Sequence, residues 1–204
     1  MIYIVGLGPG SEEYILPVAV KTLNKCEKII GFKRALESLH FIEKDKYEVK
    51  SINDILTFLD KEPSLNIAVV ASGDPCFYGI TDFIKRNYKG NLKVIPGLSS
   101  FQYLCAKGAI SWNGAYVGSM HGREENFIET VKNHELSLWL TDKKNNPKAL
   151  MKRLINDDIK CQVIIGENLS YEEERILQGE AQDFIEEEFS DLCVVVIKNE
   201  IYKG

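Results

Sequence analysis

The sequence is poor in the residues that staple or anchor a chain. Its five cysteines (Cys26, Cys76, Cys105, Cys161 and Cys193) are odd in number and show no Cys-x-x-Cys spacing, which excludes a disulfide framework and a cysteine-built zinc site. They read as reduced thiols, most of them small hydrophobes in apolar stretches. Long hydrophobic runs are missing too. The longest, such as Leu192–Ile197, has about six residues, against the roughly 20 that a membrane-spanning helix needs. The opening Met1-Ile2-Tyr3-Ile4-Val5 lacks a basic segment followed by an apolar stretch and a cleavage site, so the expected location is the cytoplasm, with no membrane partner. Positive charge is not in excess: 25 Lys and Arg face 30 Asp and Glu, a net charge of -5. Without a basic stripe the chain is not a general nucleic-acid binder, although an anionic small molecule stays open if the positive groups are local. There is no internal repeat, no low-complexity linker, no catalytic triad and no set of protein metal ligands. What remains is 45% hydrophobic and 27% charged, ordinary for a globular protein and long enough to bury a core without staples.

Hydrophobic patterning divides the chain into alternating elements. Short apolar runs at Ile2–Val5, Lys28–Gly31, Ile67–Ala71 and Leu92–Ile95 read as strands, each stopped by glycine, proline or both. Ile67–Ala71 is apolar throughout, as in a parallel strand buried on both faces. Helical spacing is expected over Pro17–Lys25, about Ile52–Asp60, about Gly79–Tyr88, and after Ser99 or Ser100, either of which can cap the helix holding Phe101, Leu104 and Cys105. This alternation argues for an α/β domain with a largely parallel sheet. The texture changes after Gly108, and Trp112-Asn113-Gly114 is a turn signal, which puts the expected domains at 1–112 and 113–204. The second half offers strands at Ala115–Val117, Leu136–Leu140, Gln162–Ile165 and Leu192–Ile197, and helices at about Glu125–Lys132, Lys148–Asn156 and Ala181–Glu187. The acidic run Glu186–Glu188 reads as a solvated face.

The loop Gly6-Leu7-Gly8-Pro9-Gly10 follows a strand, so a dinucleotide fingerprint has to be weighed. That fingerprint requires Gly-x-Gly-x-x-Gly opening straight into a helix, with an acid about 20 residues on. Here Ser11 stands at the third glycine, Pro9 removes a backbone donor, and the helix starts later, near Pro17. The next strand ends in Ile29-Ile30-Gly31-Phe32 and offers no acid to a ribose. A nucleotide-binding oxidoreductase is therefore disfavoured. A tight turn needing positive φ explains the glycines equally well.

Four further segments change the reading: Ser72-Gly73-Asp74-Pro75-Cys76-Phe77-Tyr78-Gly79, Pro96-Gly97-Leu98-Ser99-Ser100-Phe101-Gln102, Ser119-Met120-His121-Gly122-Arg123, and Gly166-Glu167-Asn168-Leu169-Ser170 leading to Glu173-Glu174-Arg175-Ile176. With the opening loop, their order and spacing resemble the tetrapyrrole (corrin/porphyrin) methylase family over nearly the whole chain. Ser119–Arg123 and Gly31-Phe32-Lys33-Arg34 are most similar to the branch of that family that methylates C5 of a corrin precursor in cobalamin synthesis. The resemblance implies two α/β domains, a mostly parallel sheet followed by a mixed one, and an active site in the cleft between them. It also implies S-adenosylmethionine as cofactor with S-adenosylhomocysteine as product, a tetrapyrrole substrate, a homodimer, and a separate C15-methyltransferase/decarboxylase as functional partner. Any cobalt belongs to the substrate. The alternatives are another methylase of the same fold with a different ring position or substrate, and a non-catalytic module that kept the fold.

Residue by residue, the resemblance assigns the cofactor to Pro9, Ser72, Gly73, Asp74, Phe77, Ser99, Ser100, Leu140, Thr141 and Leu169, largely through backbone groups. The chain's own logic agrees for several of them. Ser72-Gly73-Asp74 ends a buried strand, where open α/β sheets bind ligands, although Asp74-Pro75 also initiates turns. Ser99 and Ser100 open a helix whose first N–H groups are free donors, and capping alone would also explain them. Leu140 and Leu169 could be core residues. For catalysis, Arg123 suits a substrate carboxylate. His121 either accepts the proton released after carbon methylation or is a turn histidine bonded to backbone. Lys33, Arg34 and Lys107 are weaker carboxylate partners, Tyr78 is a possible donor or a packed aromatic, and His40 and His134 are expected at the surface.

Overall fold

Alternate residues of the first-half strands point to opposite faces of one sheet, and that sheet organises the unit Met1–Ser100. The computed structural model describes residues 1–202. The first unit runs β1 (Ile2–Gly6), α1 (Pro17–Lys25), β2 (Lys28–Gly31), α2 (Lys33–Glu37), β3 (Lys46–Glu48), α3 (Ile52–Lys61), β4 (Ile67–Ala71), α4 (Thr81–Asn87) and β5 (Leu92–Ile95). The strand order is β3-β2-β4-β1-β5, and every pairing is parallel. Period-two alternation separates two cores. Val5, Ile29, Ala68 and Val70 pack with Ala19 and Leu23 of α1 and Ala35 and Leu36 of α2. Ile2, Ile4, Ile30, Ile67 and Val69 pack with Ile55 and Leu59 of α3 and Ile84 of α4. Each Val, Leu or Ile side chain among these contributes about 1.5–3 kcal/mol on removal from water. β1, β2 and β4 are covered on both faces, which is why they read as nearly continuous apolar stretches.

The second unit, Phe101–Gly204, is built on a mixed sheet. After α5 (Ser100–Lys107) come β6 (Tyr116–Ser119), α6 (Phe127–Lys132), β7 (Leu136–Leu140), α7 (Pro147–Asn156), β8 (Cys161–Glu167), β9 (Arg175–Glu180) and β10 (Cys193–Asn199). The order is β6-β7-β10-β8-β9. β6 and β7 are parallel, and the other pairings are antiparallel. Trp139 centres the core, fully buried among Phe127, Leu150, Met151, Val163 and Val195. Its Nε1 donates to Ser137 Oγ at 2.9 Å, so the burial leaves no polar atom unpaired. Gly118 makes room for the indole: a Cβ there would lie 2.7 Å from Trp139 Cζ3.

The expected strands and most of the helices are present, and the differences have local causes. β3 and β9 are edge strands with polar sequences, Lys-Tyr-Glu and Arg-Ile-Leu-Gln-Gly-Glu, so neither announces itself as an apolar run. α2 has five residues and is too short to show a period. α6 starts at Phe127 rather than Glu125, because the Glu125 carboxylate is committed to Tyr116 and Ser119. The helix expected over Ala181–Glu187 is a correction. Only Ala181–Phe184 turns, as a 3-10 helix closed by a reciprocal Glu180–Asp183 box. The residues after it are drawn off by ion pairs, Glu187 to Arg175 at 3.2 Å and Glu188 to Lys148 at 2.9 Å. Among the described residues, no helix is long and apolar enough to cross a membrane, and no group of His, Cys, Asp or Glu side chains converges as metal ligands. Four cysteines are buried and Cys76 is exposed. Burial pushes the thiols of Cys26, Cys105 and Cys161 up to about 11, so they stay protonated and act as hydrophobes.

The tightest backbone packing lies beyond the ends of β1, β4 and β5. A Cβ at Gly97 would stand 2.2 Å from the Gly73 carbonyl oxygen and 2.9 Å from the Gly6 carbonyl carbon. Backbone cannot swing aside as a flexible side chain can. Gly97→Ala should therefore destabilise the protein by about 1–3 kcal/mol, measured by urea denaturation. A midpoint equal to that of the wild type would contradict the contact.

Candidate active site

Neighbouring strands whose chains leave to opposite faces open a crevice at their carboxyl ends, where open α/β sheets bind ligands. β1 and β4 are such neighbours. From β1 the chain passes into α1 on one face, and from β4 into α4 on the other. The loops leaving the two strands are tied to each other. Leu7 N–H donates to the Ala71 carbonyl at 2.9 Å, Gly73 N–H to the Gly8 carbonyl at 2.7 Å, and Gly8 N–H to the Gly73 carbonyl at 3.3 Å. Both Gly8 (φ +79°) and Gly73 (φ +66°) are left-handed, conformations that a side chain would strain.

Asp74 extends the tie to the β5 loop. Its Oδ1 accepts from Cys76 N–H at 2.7 Å, and its Oδ2 faces Gly97 N–H at 3.4 Å. Asp74 thus fastens the β4 loop to Pro96-Gly97, whatever ligand the crevice takes. Ser99 is buried and Ser100 begins α5. Ser72 is exposed, and Asp74 and Phe77 are half-buried. Pro9 is buried between Gly8 and Gly10. Tyr78 has φ +48°, with its ring edge-on to Phe77 at 4.9 Å between centroids. This unit therefore brings Pro9, Ser72, Gly73, Asp74 and Ser99 onto three connected strand-end loops.

The second unit repeats the pattern with carboxylates as fasteners. β6 ends at Ser119, whose N–H donates to Glu125 Oε1 at 3.1 Å, while Tyr116 donates to Oε2 at 2.8 Å. The turn Met120–Arg123 is then stitched to the end of β7. Met120 N–H donates to the Leu140 carbonyl at 2.8 Å, and Gly122 N–H to Asp142 Oδ2 at 2.8 Å. Asp142 also accepts from Asn145 N–H at 2.7 Å. The Asn145 and Gly122 N–H groups hold the Asp142 carboxyl below its ordinary range. Thr141 is buried, and its hydroxyl donates to the Cys193 carbonyl at 2.8 Å.

His121 is exposed, with Nδ1 3.0 Å from the Thr141 carbonyl oxygen. A carbonyl can only accept, so Nδ1 carries the proton. In the neutral ring, Nε2 is then an unprotonated acceptor. The structure therefore joins His121, Leu140 and Thr141 in one corner, with the His121 ring bonded to backbone. Arg123 lies exposed in the same turn.

Leu169 lies in the loop between β8 and β9 and is buried. Asn168 (φ +48°) and Ser170 (φ +67°) on either side of it are left-handed without being glycine. The Glu167 carboxylate meets Arg175 Nε at 2.7 Å and also accepts from Ser190 N–H. Burial opposes its ionisation, but the Ser190 N–H and the Arg175 guanidinium outweigh it and hold the carboxyl below the usual range.

Of the weaker positive candidates, Lys33 pairs with Glu37 at 3.8 Å on the surface and Lys107 pairs with Glu174 at 3.4 Å. His40 pairs with Glu12 at 3.6 Å and is exposed. His134 is half-buried against the Tyr116 ring, with Nδ1 2.8 Å from the Thr130 carbonyl. Sequence reasoning missed the turn-shaping roles of the Glu125, Asp142 and Glu174 carboxylates. Asp142 had a signal, an Asp at the end of a strand three residues before Asn145, the pattern of a side chain capping its own turn.

Comparison with known proteins agrees with this geometry. Residues 1–185 match the family model described as tetrapyrrole (corrin/porphyrin) methylases. The chain is 35% identical to a probable cobalt-precorrin-7 C(5)-methyltransferase from Methanocaldococcus jannaschii, over 98% of this chain and 99% of that one. It is 32% identical to the cobalt-precorrin-7 C(5)-methyltransferase of Salmonella typhimurium, over 86% of this chain and 89% of that one. Its fold superposes with a TM-score of 0.78 on the crystal structure of a precorrin-6Y methylase from Archaeoglobus fulgidus, at 26% identity, covering 98% and 99% of the two chains. Two five-stranded sheets in this order, with glycine loops at the strand ends and a match along nearly the full length, leave one conclusion: the chain belongs to the tetrapyrrole methylases, a family of S-adenosylmethionine-dependent methyltransferases.

Proposed function

We propose that this protein methylates C5 of cobalt-precorrin-7 in cobalamin synthesis, with S-adenosylmethionine as donor. One observation carries the reading: the 35% identity to a C5-methyltransferase of this substrate runs through 98% of the chain, so it spans every segment that bears a candidate residue. Family membership replaces the oxidoreductase alternative. Incubation with cobalt-precorrin-7 and donor carrying a carbon-13 methyl group tests the reading. The label is expected on C5 of the product by NMR, and label on another ring carbon, or none, would reject it.

The residues present suit such a cofactor. A Cβ at Gly73 would have only Ser99 Cα within 4 Å, at 3.8 Å, so the glycine leaves an approach to backbone at the β1/β4 crevice. S-adenosylmethionine, when bound, supplies a methyl group already activated on a sulfonium. The protein's task is then alignment and the exclusion of water. In this reading Pro9, Ser72, Gly73, Asp74, Phe77, Ser99, Ser100, Leu140, Thr141 and Leu169 hold the cofactor, mostly by backbone. Arg123 pairs with a substrate carboxylate. His121 Nε2 accepts the proton that leaves the carbon skeleton once the new C–C bond has formed, and the Thr141 carbonyl steadies the charged ring through Nδ1–H.

These roles separate in measurement. Asp74→Ala releases Cys76 and Gly97, and should weaken S-adenosylhomocysteine binding roughly tenfold by calorimetry. Asp74→Asn keeps one carboxamide oxygen and should fall between. Arg123→Ala should leave that affinity within about twofold and raise KM for the corrin. His121→Ala should lower kcat by about 10²-fold with cofactor affinity unchanged. Unchanged cofactor affinity in Asp74→Ala would count against the loop assignment, and unchanged kcat in His121→Ala against the base.

A further inference from the structure

Two left-handed non-glycine residues flank Leu169, and such conformations persist only where the surroundings over-determine them. For Asn168 the restraints are its N–H to the Leu192 carbonyl at 3.1 Å and Ser190 Oγ to its side-chain oxygen at 3.2 Å. For Ser170 the restraint comes from further along the chain. Its N–H donates to Glu174 Oε2 at 2.7 Å, and the same carboxylate meets Lys107 Nζ of α5 at 3.4 Å. Tyr103, one turn earlier on α5 and buried, also hydrogen-bonds to Glu174. Lys107 Nζ lies 5.2 Å from the centre of the Tyr103 ring.

Burial of Glu174 works against its ionisation, but the Tyr103 hydroxyl, the Ser170 N–H and Lys107 together hold its carboxyl below the usual range. Burial, and then Glu174 itself, push the Tyr103 hydroxyl up to about 12. Tyr103 is therefore a protonated donor at every physiological pH, and Glu174 a carboxylate acceptor. The apolar side closes the same joint. Leu104 of α5 and Leu169 converge on Gly166, where a Cβ would lie 2.9 Å from Leu104 Cδ1 and 2.7 Å from Leu169 Cδ2. The Glu174 carboxylate thus touches both the strained loop and α5.

We infer that Glu174 is a positioning residue: with Tyr103 and Lys107 it clamps the Asn168–Leu169–Ser170 loop to α5, and so presents the Leu169 backbone in the conformation that receives the adenosine. The adenosine half of this inference rests on the cofactor reading above; the clamping of the loop does not. It also removes Lys107 from the groups available to substrate carboxylates.

Three variants test it, each read by hydrogen exchange of residues 168–171, by S-adenosylhomocysteine affinity and by melting temperature. Glu174→Ala should speed exchange in that segment and weaken affinity roughly tenfold, as the loss of a supporting shell does. Turnover at saturating cofactor should stay within about twofold, so that the loss appears in binding. Glu174→Gln keeps an acceptor oxygen for Ser170 and should bind within about threefold of the wild type. Tyr103→Phe, which keeps the buried ring and so guards against failure to fold, should fall between. A lowered melting temperature with unchanged affinity and unchanged exchange in Glu174→Ala would overturn the inference and make the residue structural only. If the wild type binds no S-adenosylhomocysteine, the cofactor reading falls; exchange in Glu174→Ala then still decides the clamp, with faster exchange supporting it and wild-type exchange overturning it.

Discussion

The contact on which the first unit depends involves no side chains. Gly6, Gly73 and Gly97 bring together the backbones leaving β1, β4 and β5: a methyl group on Gly6 would lie 2.6 Å from Gly97 N, and one on Gly97 2.2 Å from the Gly73 carbonyl oxygen. Parallel strands place their carboxyl ends side by side, and glycine lets the loops that follow touch. The consequence is a surface of peptide groups rather than side chains. Such a surface recognises a ligand by its hydrogen bonds and shape, and it is insensitive to most side-chain changes elsewhere.

The second unit reaches a similar end by another route. Its turns are fixed by carboxylates accepting from backbone N–H groups: Glu125 on Ser119, Asp142 on Gly122 and Asn145, Glu167 on Ser190, and Glu174 on Ser170. A hydrogen bond to a charged acceptor contributes about 1.5–3 kcal/mol where water is kept away. That is enough to hold one or two left-handed residues, each costing about 1–3 kcal/mol. The excess of acidic over basic residues thus has a structural use that net charge alone does not reveal.

Much of this was legible in the sequence. Ile67–Ala71 and Leu136–Leu140 are strands at the residues their apolar runs indicate, because strands covered by helices or by neighbouring strands must be apolar. Pro17 begins α1, where a missing N–H costs nothing. The five glycine- and serine-bearing segments identified the family because close backbone approach and strand-end turns tolerate few substitutes. The edge strands β3 and β9 were not legible, since half of each faces solvent and polar residues suffice. Nor was the fate of Ala181–Glu187, where helical spacing lost to ion pairs with Arg175 and Lys148, residues distant in sequence. The clamping role of Glu174 was equally hidden. Its partners lie on α5, nearly seventy residues away for Lys107, and only the fold brings them together.

The central claim is that the peptide groups around Gly6, Gly73 and Gly97 form the surface the cofactor meets. Amide chemical shifts followed by NMR during titration with S-adenosylhomocysteine address it directly. The account predicts that the Gly8, Gly73, Gly97 and Ser99 amides move first and saturate together. Saturable shifts elsewhere, with these four amides unmoved, would contradict it.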